Sequence, residues 1–316
     1  MKRKREKQKA LGSFARHLCA ILALACMVCL GAGFAGCSSG GANGGLESGS
    51  NSGLNSGLNS GADGSLVGEE TQQPEPTAAR PTGLVAQQVL QHETGAIHYS
   101  YYLPEDYDEN RQYPMMVVMP GYDMMWFGED SAGANLNWRG FVCWTELDED
   151  MIVVSAQLTD WHETSAQQAV ALTEYFLQNF SVDPKRVYAA GYSAGGETMS
   201  QAVAMRPDLY AAYLHGASQW DGAFDPVAQN RVAVYIFMAE GDEYYGSQRA
   251  RDAYDKLHAA YEALGWTQEE IDDVLQLQIP NNAYFNQRGI TGNYHGGANI
   301  LFEDASILNW IVSHSK

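Results

Sequence analysis

Gly191-Tyr192-Ser193-Ala194-Gly195 sets a serine between two glycines, where an apolar run meets a helix-forming segment. The preceding Val187-Tyr188-Ala189-Ala190 reads as a short buried strand, and Gly196-Glu197-Thr198-Met199-Ser200 opens a helix. Glycines two residues either side of a serine let strand and helix approach closely and permit a strained turn, the sequence form of a nucleophile elbow. The serine hydroxyl would then stand clear of the backbone, free to attack an acyl carbon. Taken alone, the pentapeptide is equally a glycine-rich turn. Its meaning depends on whether the chain supplies what a serine nucleophile needs.

It needs a base within hydrogen-bond reach and a carboxylate to orient that base. With an elbow, these follow in the chain order serine, acid, histidine. The acid is best sought where Ala239-Glu240-Gly241-Asp242-Glu243 leaves the apolar run Val232 to Met238. Asp242 is the choice, because a short carboxylate on a glycine-containing loop can be held rigidly against an imidazole. Glu240 and Glu243 are its neighbouring alternatives, and Asp221, after the preceding strand, is a fourth. Eight histidines compete for the base. His17 lies in the N-terminal segment, and His92, His98 and His162 precede the serine. His215 ends a predicted strand, His258 falls within a helix, and His314 is at the frayed end of the last helix. His295, in the glycine-flanked Asn293-Tyr294-His295-Gly296-Gly297 before the final helix, remains. Acyl transfer also needs N–H donors for the oxyanion. Ala194 supplies one, and Tyr122 in Pro120-Gly121-Tyr122-Asp123 is the candidate for the second, since Pro120 has no N–H.

Asp183-Pro184-Lys185-Arg186-Val187-Tyr188, followed by Gly191-Tyr192-Ser193-Ala194-Gly195-Gly196, resembles the corresponding segment of bacterial α/β-hydrolases of the polyhydroxyalkanoate-depolymerase and feruloyl-esterase type. The resemblance spans about residues 97–316. It implies an α/β-hydrolase fold, a mainly parallel sheet with helices on both faces. It also implies a carboxylic ester hydrolase acting on short acyl or aromatic esters, often polymer-borne, without metal or cofactor. The catalytic roles transfer to Ser193, Asp242 and His295. These relatives usually carry a His-Gly pair where Pro120-Gly121 stands here. Trp161 and Tyr192 are candidates for the substrate pocket.

The elements that must hold these residues are visible as alternating strand-like and helix-like segments. Strands are expected at 97–103, 113–119, 151–156, 210–215 and 232–238, and helices at 163–180, 248–264 and about 303–313. Thr267 and Glu270 have capping-box spacing for a further short helix. Cys143 sits in the apolar pattern Trp138-Phe141-Val142-Trp144-Leu147 and reads as a buried small hydrophobe.

The N-terminal residues set the expected location. Six Lys and Arg residues among the first nine precede an apolar stretch from Leu18 to Phe34, and then Phe34-Ala35-Gly36-Cys37. This resembles a bacterial lipoprotein signal, with residues 1–36 removed and Cys37 carrying the lipid. Either this or an uncleaved anchor places the catalytic part outside the cytoplasmic membrane. Residues 37–85, rich in Gly, Ser and Asn, are expected to be a flexible tether, and 86–316 the catalytic domain. Residues 1–36 hold seven of the 19 basic residues and one of the 38 acidic ones. Residues 37–316 therefore carry 12 against 37, a formal −25. Such a surface disfavours nucleic acid and anionic lipid headgroups as partners.

Metal ligation finds no pattern, since His162-Glu163 lacks the second histidine of a zinc-binding H-E-x-x-H. Two other readings stand beside the esterase. One is a peptidase of the same fold, against which the lack of a second large domain counts. The other is a non-catalytic surface-binding lipoprotein that keeps the fold.

Overall fold

The computed structural model describes residues 80–316. The signal segment, Cys37 and most of the expected tether lie outside the described residues. The chain enters as an antiparallel hairpin, β1 (Gly83–His92) and β2 (Gly95–Leu103). It continues through β3 (Tyr113–Met119), α1 (Arg139–Thr145), β4 (Ile152–Gln157), α2 (Glu163–Asn179), β5 (Val182–Tyr192) and α3 (Ala194–Met205). Next come β6 (Ala212–Gly216), α4 (Asp225–Gln229), β7 (Ala233–Phe237), α5 (Gln248–Ala263), α6 (Gln268–Val274) and β8 (Leu275–Gln278). Three short helices close the chain: α7 (Asn282–Asn286), α8 (Tyr294–Gly297) and α9 (Ala305–Val312).

The strands form one sheet in the order β1-β2-β4-β3-β5-β6-β7-β8. β2 runs antiparallel to β1 and β4, and all other neighbours are parallel. Parallel neighbours require crossovers, and the helices that supply them cover both faces. β3 shows the consequence in its side chains. Met115, Val117 and Met119 enter one core with Leu172 and Phe176 of α2, Val203 of α3 and Leu257 of α5. Met116 and Val118 enter the other, with Trp144 of α1, Phe302, and Ile307 and Ile311 of α9. A strand buried on both faces must be apolar at every position, and β3 is buried throughout.

The expected central strands and long helices are present, with boundaries moved by a few residues. Cys143 is buried and unpaired in α1. The Thr267 cap is formed, its hydroxyl accepting from Glu270 N at 3.3 Å while Glu270 returns a bond to Thr267 N at 2.8 Å. The two outermost strands were not anticipated. β1 begins at Gly83, within the last residues assigned to the tether, and its residues alternate only between half-buried and exposed. A bulge between Val85 and Gln88, with Gln87 at φ 55°, further blurs its alternation. β8, at the other edge, has four residues, Leu-Gln-Leu-Gln, too few to carry a pattern.

Register aligns the carboxyl ends of the central strands: Met119 pairs with Gly191, Gly191 with His215, and Gly216 with Phe237. Loops leaving these ends therefore meet over one edge, where open α/β sheets bind ligands. α3 starts directly there. A Cβ on Gly195 would lie 2.3 Å from the Met119 carbonyl oxygen and 2.4 Å from that of Pro120, and one on Gly191 2.5 Å from the Gly195 carbonyl oxygen. Both glycines are thus required by close backbone approach. Gly195→Ala should destabilise the fold by about 1–3 kcal/mol, as overpacking does. Thermal melting would show it, and a melting temperature unchanged from the native chain would contradict the packing argument.

Candidate active site

Ser193 stands at the turn between β5 and α3 with φ 54° and ψ −127°, a backbone conformation that an L-residue with a side chain rarely holds. Three main-chain contacts impose it. Ser193 N donates to Gly216 O at 3.0 Å, and Ser193 O accepts from Gly196 N at 2.7 Å and from the Ser218 hydroxyl at 2.7 Å. Behind Ser218, His215 is fully buried, and burial pushes its pKa down to about 4, so the ring is neutral. Its Nε2 bonds Ser218 O at 3.2 Å and its Nδ1 bonds the Tyr213 hydroxyl at 2.7 Å, and that hydroxyl also reaches the Gly196 carbonyl at 2.9 Å. His215 braces the elbow from below.

The residues singled out as nucleophile, base and acid meet in one row. Ser193 Oγ lies 3.0 Å from His295 Nε2, and His295 Nδ1 lies 2.8 Å from Asp242 Oδ2. The Asp242 side chain is completely buried. Its other oxygen accepts from Tyr245 N at 2.7 Å and Tyr244 N at 3.0 Å, in the loop after β7. Burial works to raise the Asp242 pKa, but the His295 bond and these N–H groups outweigh it and hold the carboxyl below its usual range. An ionised Asp242 fixes the tautomer with the proton on Nδ1, leaving the Nε2 lone pair toward Ser193.

His295 lies in the single turn α8 rather than in an open loop, and three groups hold that turn. Asn293, left-handed at φ 45°, caps it by accepting from Gly296 N at 3.0 Å. Glu243 accepts from Tyr294 N at 2.8 Å and His295 N at 2.9 Å. The Tyr192 hydroxyl donates to the His295 carbonyl. Tyr192 is buried, so it supports the histidine from behind instead of forming a pocket wall.

Glu243, weighed as an acid, thus serves as a clamp on the histidine turn, and Glu240 is exposed with no contact to the row. Asp221 is exposed in the loop after β6, where its Oδ2 takes a 3.4 Å bond from Gln219.

Ala194 is the first residue of α3 and Tyr122 the first of a 3-10 turn, positions whose N–H groups have no intrahelical acceptor. Gly121 packs directly on Ser193: a Cβ there would lie 3.5 Å from Ser193 Cβ. The Gly121-Tyr122 peptide therefore sits beside the serine. Beyond it is an aromatic group, with the Tyr122 ring 5.0 Å from Phe127 and 5.7 Å from Trp161. Tyr122 and Phe127 are about half exposed. Gln201 of α3 ties the Trp161 carbonyl to the elbow helix at 3.1 Å. On the other side, Glu243, Tyr244, Asn293 and His295 line an open cleft. Among the described residues, no three His, Cys, Asp or Glu side chains cluster so as to hold a metal ion.

The prolyl oligopeptidase family profile matches residues 155–270, the stretch carrying Ser193 and Asp242 but not His295. Among solved structures, a thermostable esterase is 19% identical over 74% of this chain and 63% of its own, with a TM-score of 0.61. A Bacteroides ovatus protein assigned as a dipeptidyl aminopeptidase IV is 12% identical over 73% of this chain and 36% of its own, with a TM-score of 0.51. The fold is that of the α/β-hydrolases. The chain thus spans under two thirds of the esterase's length and about a third of the peptidase's. No curated protein matches the sequence.

Two residues at the site escaped the sequence reading. Glu197 is buried one turn after Ser193, and Tyr245 lies over it from the loop after β7. The one available signal was a carboxylate in an otherwise small and apolar helix turn. The Glu243 clamp yields a direct test. Glu243→Gln leaves one N–H of the histidine turn without an acceptor, so kcat should fall about tenfold through misplacement of His295, with melting temperature little changed. An unaltered kcat would show that the clamp is not needed.

Proposed function

We propose that this chain is a serine hydrolase that cleaves carboxylic esters through an acyl-enzyme. The observation that carries the reading is the row from Ser193 through His295 to buried Asp242, with bonds of 3.0 and 2.8 Å, on a serine held at φ 54°. In this reading Ser193 Oγ attacks the ester carbonyl while His295 Nε2 takes its proton. Asp242 orients the ring and stabilises the imidazolium. The oxyanion is met by the N–H of Ala194 and that of Tyr122. His295 gives the proton to the departing alcohol, then takes one from the water that attacks the acyl carbon, and passes it to Ser193 Oγ as the acid is released. No cofactor enters any step.

The substrate side is read from the surroundings of Ser193. Tyr122, Phe127 and Trp161 offer an apolar aromatic surface suited to a short acyl or aromatic acyl group. The open cleft beside His295 leaves room for a bulky alcohol, including one borne on a polymer or polysaccharide. Peptide cleavage is the second reading, favoured by the family profile over residues 155–270.

A fluorophosphonate probe should add to Ser193, as located by peptide mass spectrometry, and should not label Ser193→Ala. That variant should lose on the order of 10⁵–10⁶-fold in kcat on acetyl, butyryl or feruloyl esters. Ester hydrolysis that survives Ser193→Ala, or peptide anilides turned over faster than every ester, would overturn the ester reading.

The reading includes export and lipid anchoring at Cys37, which rests on the basic head, apolar stretch and Ala-Gly-Cys of residues 1–37. In a bacterial host, Cys37→Ala should stop incorporation of labelled palmitate. Palmitate labelling of that variant equal to the native chain would exclude Cys37 as the lipid site.

A further inference from the structure

Gln157 ends β4 and is only 4% exposed, a large polar side chain after Ile, Val, Val, Ser and Ala. The reaction sequence above gives it no part. A buried amide is tolerated where its donors and acceptor are met, and all three of the bonds Gln157 makes go to one place. Its Nε2 donates to Met124 O at 2.9 Å and to Ser131 O at 3.1 Å, and its Oε1 accepts from Gly133 N at 2.8 Å. Two carbonyls against one N–H admit a single orientation of the amide, with both of its hydrogens used.

Those three backbone groups belong to the connection between the end of β3 at Met119 and the start of α1 at Arg139. Two 3-10 turns, Tyr122–Met124 and Glu129–Ser131, are its regular structure, so it has little of its own to hold it in place. Gln157 fastens both limbs, the outgoing one at Met124 and the returning one at Ser131 and Gly133. Met124 ends the turn that begins at Tyr122. Within that turn Met124 N donates to Gly121 O at 3.0 Å and Met125 N to Tyr122 O at 3.0 Å, so the place of Met124 sets that of the Gly121-Tyr122 peptide. That peptide lies against Ser193. The same end of β4 holds the next residues as well. Trp126 N donates to Leu158 O at 3.0 Å, and the Trp126 ring stacks at 3.4 Å on His98, the residue of β2 paired with Gln157.

We propose that Gln157 is a positioning residue for the oxyanion: by tying the Tyr122–Met124 turn to the end of β4, it keeps the Tyr122 N–H where the negative oxygen forms. A donor already in place costs no reorganisation when that charge develops, whereas an untied turn would have to be ordered in each turnover. The inference rests on the serine hydrolase reading, with Tyr122 as the second oxyanion donor.

A double-mutant cycle on kcat for an acetyl ester separates this role from a purely structural one. Gly121 is extended at φ −69° and ψ 171°, and Tyr122 is the first residue of its turn, so proline fits at 122 and removes the N–H. Tyr122→Ala lacks the ring, as proline does, but keeps the N–H, and is the reference. The kcat of Tyr122→Pro should lie about 10²–10³-fold below that of Tyr122→Ala. Gln157→Met fills a similar volume and removes all three bonds. Added to Tyr122→Ala, it should lower kcat by about 10–100-fold through misplacement of the donor. Added to Tyr122→Pro, it should change kcat by less than about twofold, because the group it positions is gone. A loss of folded protein would lower kcat in both chains alike. Gln157→Asn keeps the amide but is one methylene too short to reach both limbs. It should give the same pattern, and it carries the cycle if Gln157→Met does not fold.

Equal losses in the Tyr122→Ala and Tyr122→Pro chains, or no loss in the Tyr122→Ala chain, would overturn the proposal. Equal kcat in Tyr122→Pro and Tyr122→Ala would remove Tyr122 as a donor and the proposal with it. Absence of Ser193 labelling by a fluorophosphonate in the native chain would instead overturn the hydrolase reading beneath it.

Discussion

The first turn of α3 is driven into the sheet edge so closely that Gly195 lies against the last carbonyls of β3 and the start of its loop. No side chain fits between them. This approach lets β5 pass directly into a helix and leaves Ser193 at the apex in a conformation its neighbours impose. Strain of this kind costs of order 1–3 kcal/mol and persists only where the surroundings over-determine it. Here they do: Gly216 and Ser218, at and after the end of β6, grip the serine main chain, and buried Tyr213 and His215 hold Ser218 in turn. The same approach brings Gly121, in the loop after β3, against Ser193, so the serine and the Gly121-Tyr122 peptide are positioned by one packing event.

Asp242 and His295 depend on a different kind of constraint. They come from segments 53 residues apart, and what joins them is a set of charge-assisted bonds rather than apolar packing. Adjacent carboxylates divide the work. Asp242 points inward to the imidazole ring, and Glu243 points along the surface to the main-chain N–H groups of the same histidine turn. One aligns the ring and the other places its backbone. A buried carboxylate is tolerated where hydrogen bonds repay its lost hydration, and Asp242 meets that condition with the imidazole and two backbone donors. Glu197 meets it less fully, with two neutral donors and a second carboxylate nearby.

Much of the fold and the central row were legible in the chain because their causes are local. β3 and β4 are buried on both faces, so every position is constrained and the apolar runs stand out. The elbow is announced by glycines whose necessity is steric, and Thr267 with Glu270 forms its cap within four residues. The outer strands β1 and β8 were not legible because an edge strand has one neighbour and weak burial, so its composition is scarcely constrained.

The chain order serine, acid, histidine and the flanking glycines were properties of the sequence alone, since they follow from which loops leave the carboxyl ends of successive strands. Which of several neighbouring carboxylates faces the imidazole was not. Asp242 and Glu243 differ by one position and one methylene, and only the folded loop after β7 turns one inward and the other outward. The same holds for Tyr192, which the sequence offered as a pocket residue and packing turned into a brace for His295, and for Tyr245 and Glu197, 48 residues apart. Local sterics and burial patterns are written in adjacent residues. The direction of a polar side chain is decided by partners brought close only when the sheet edge assembles.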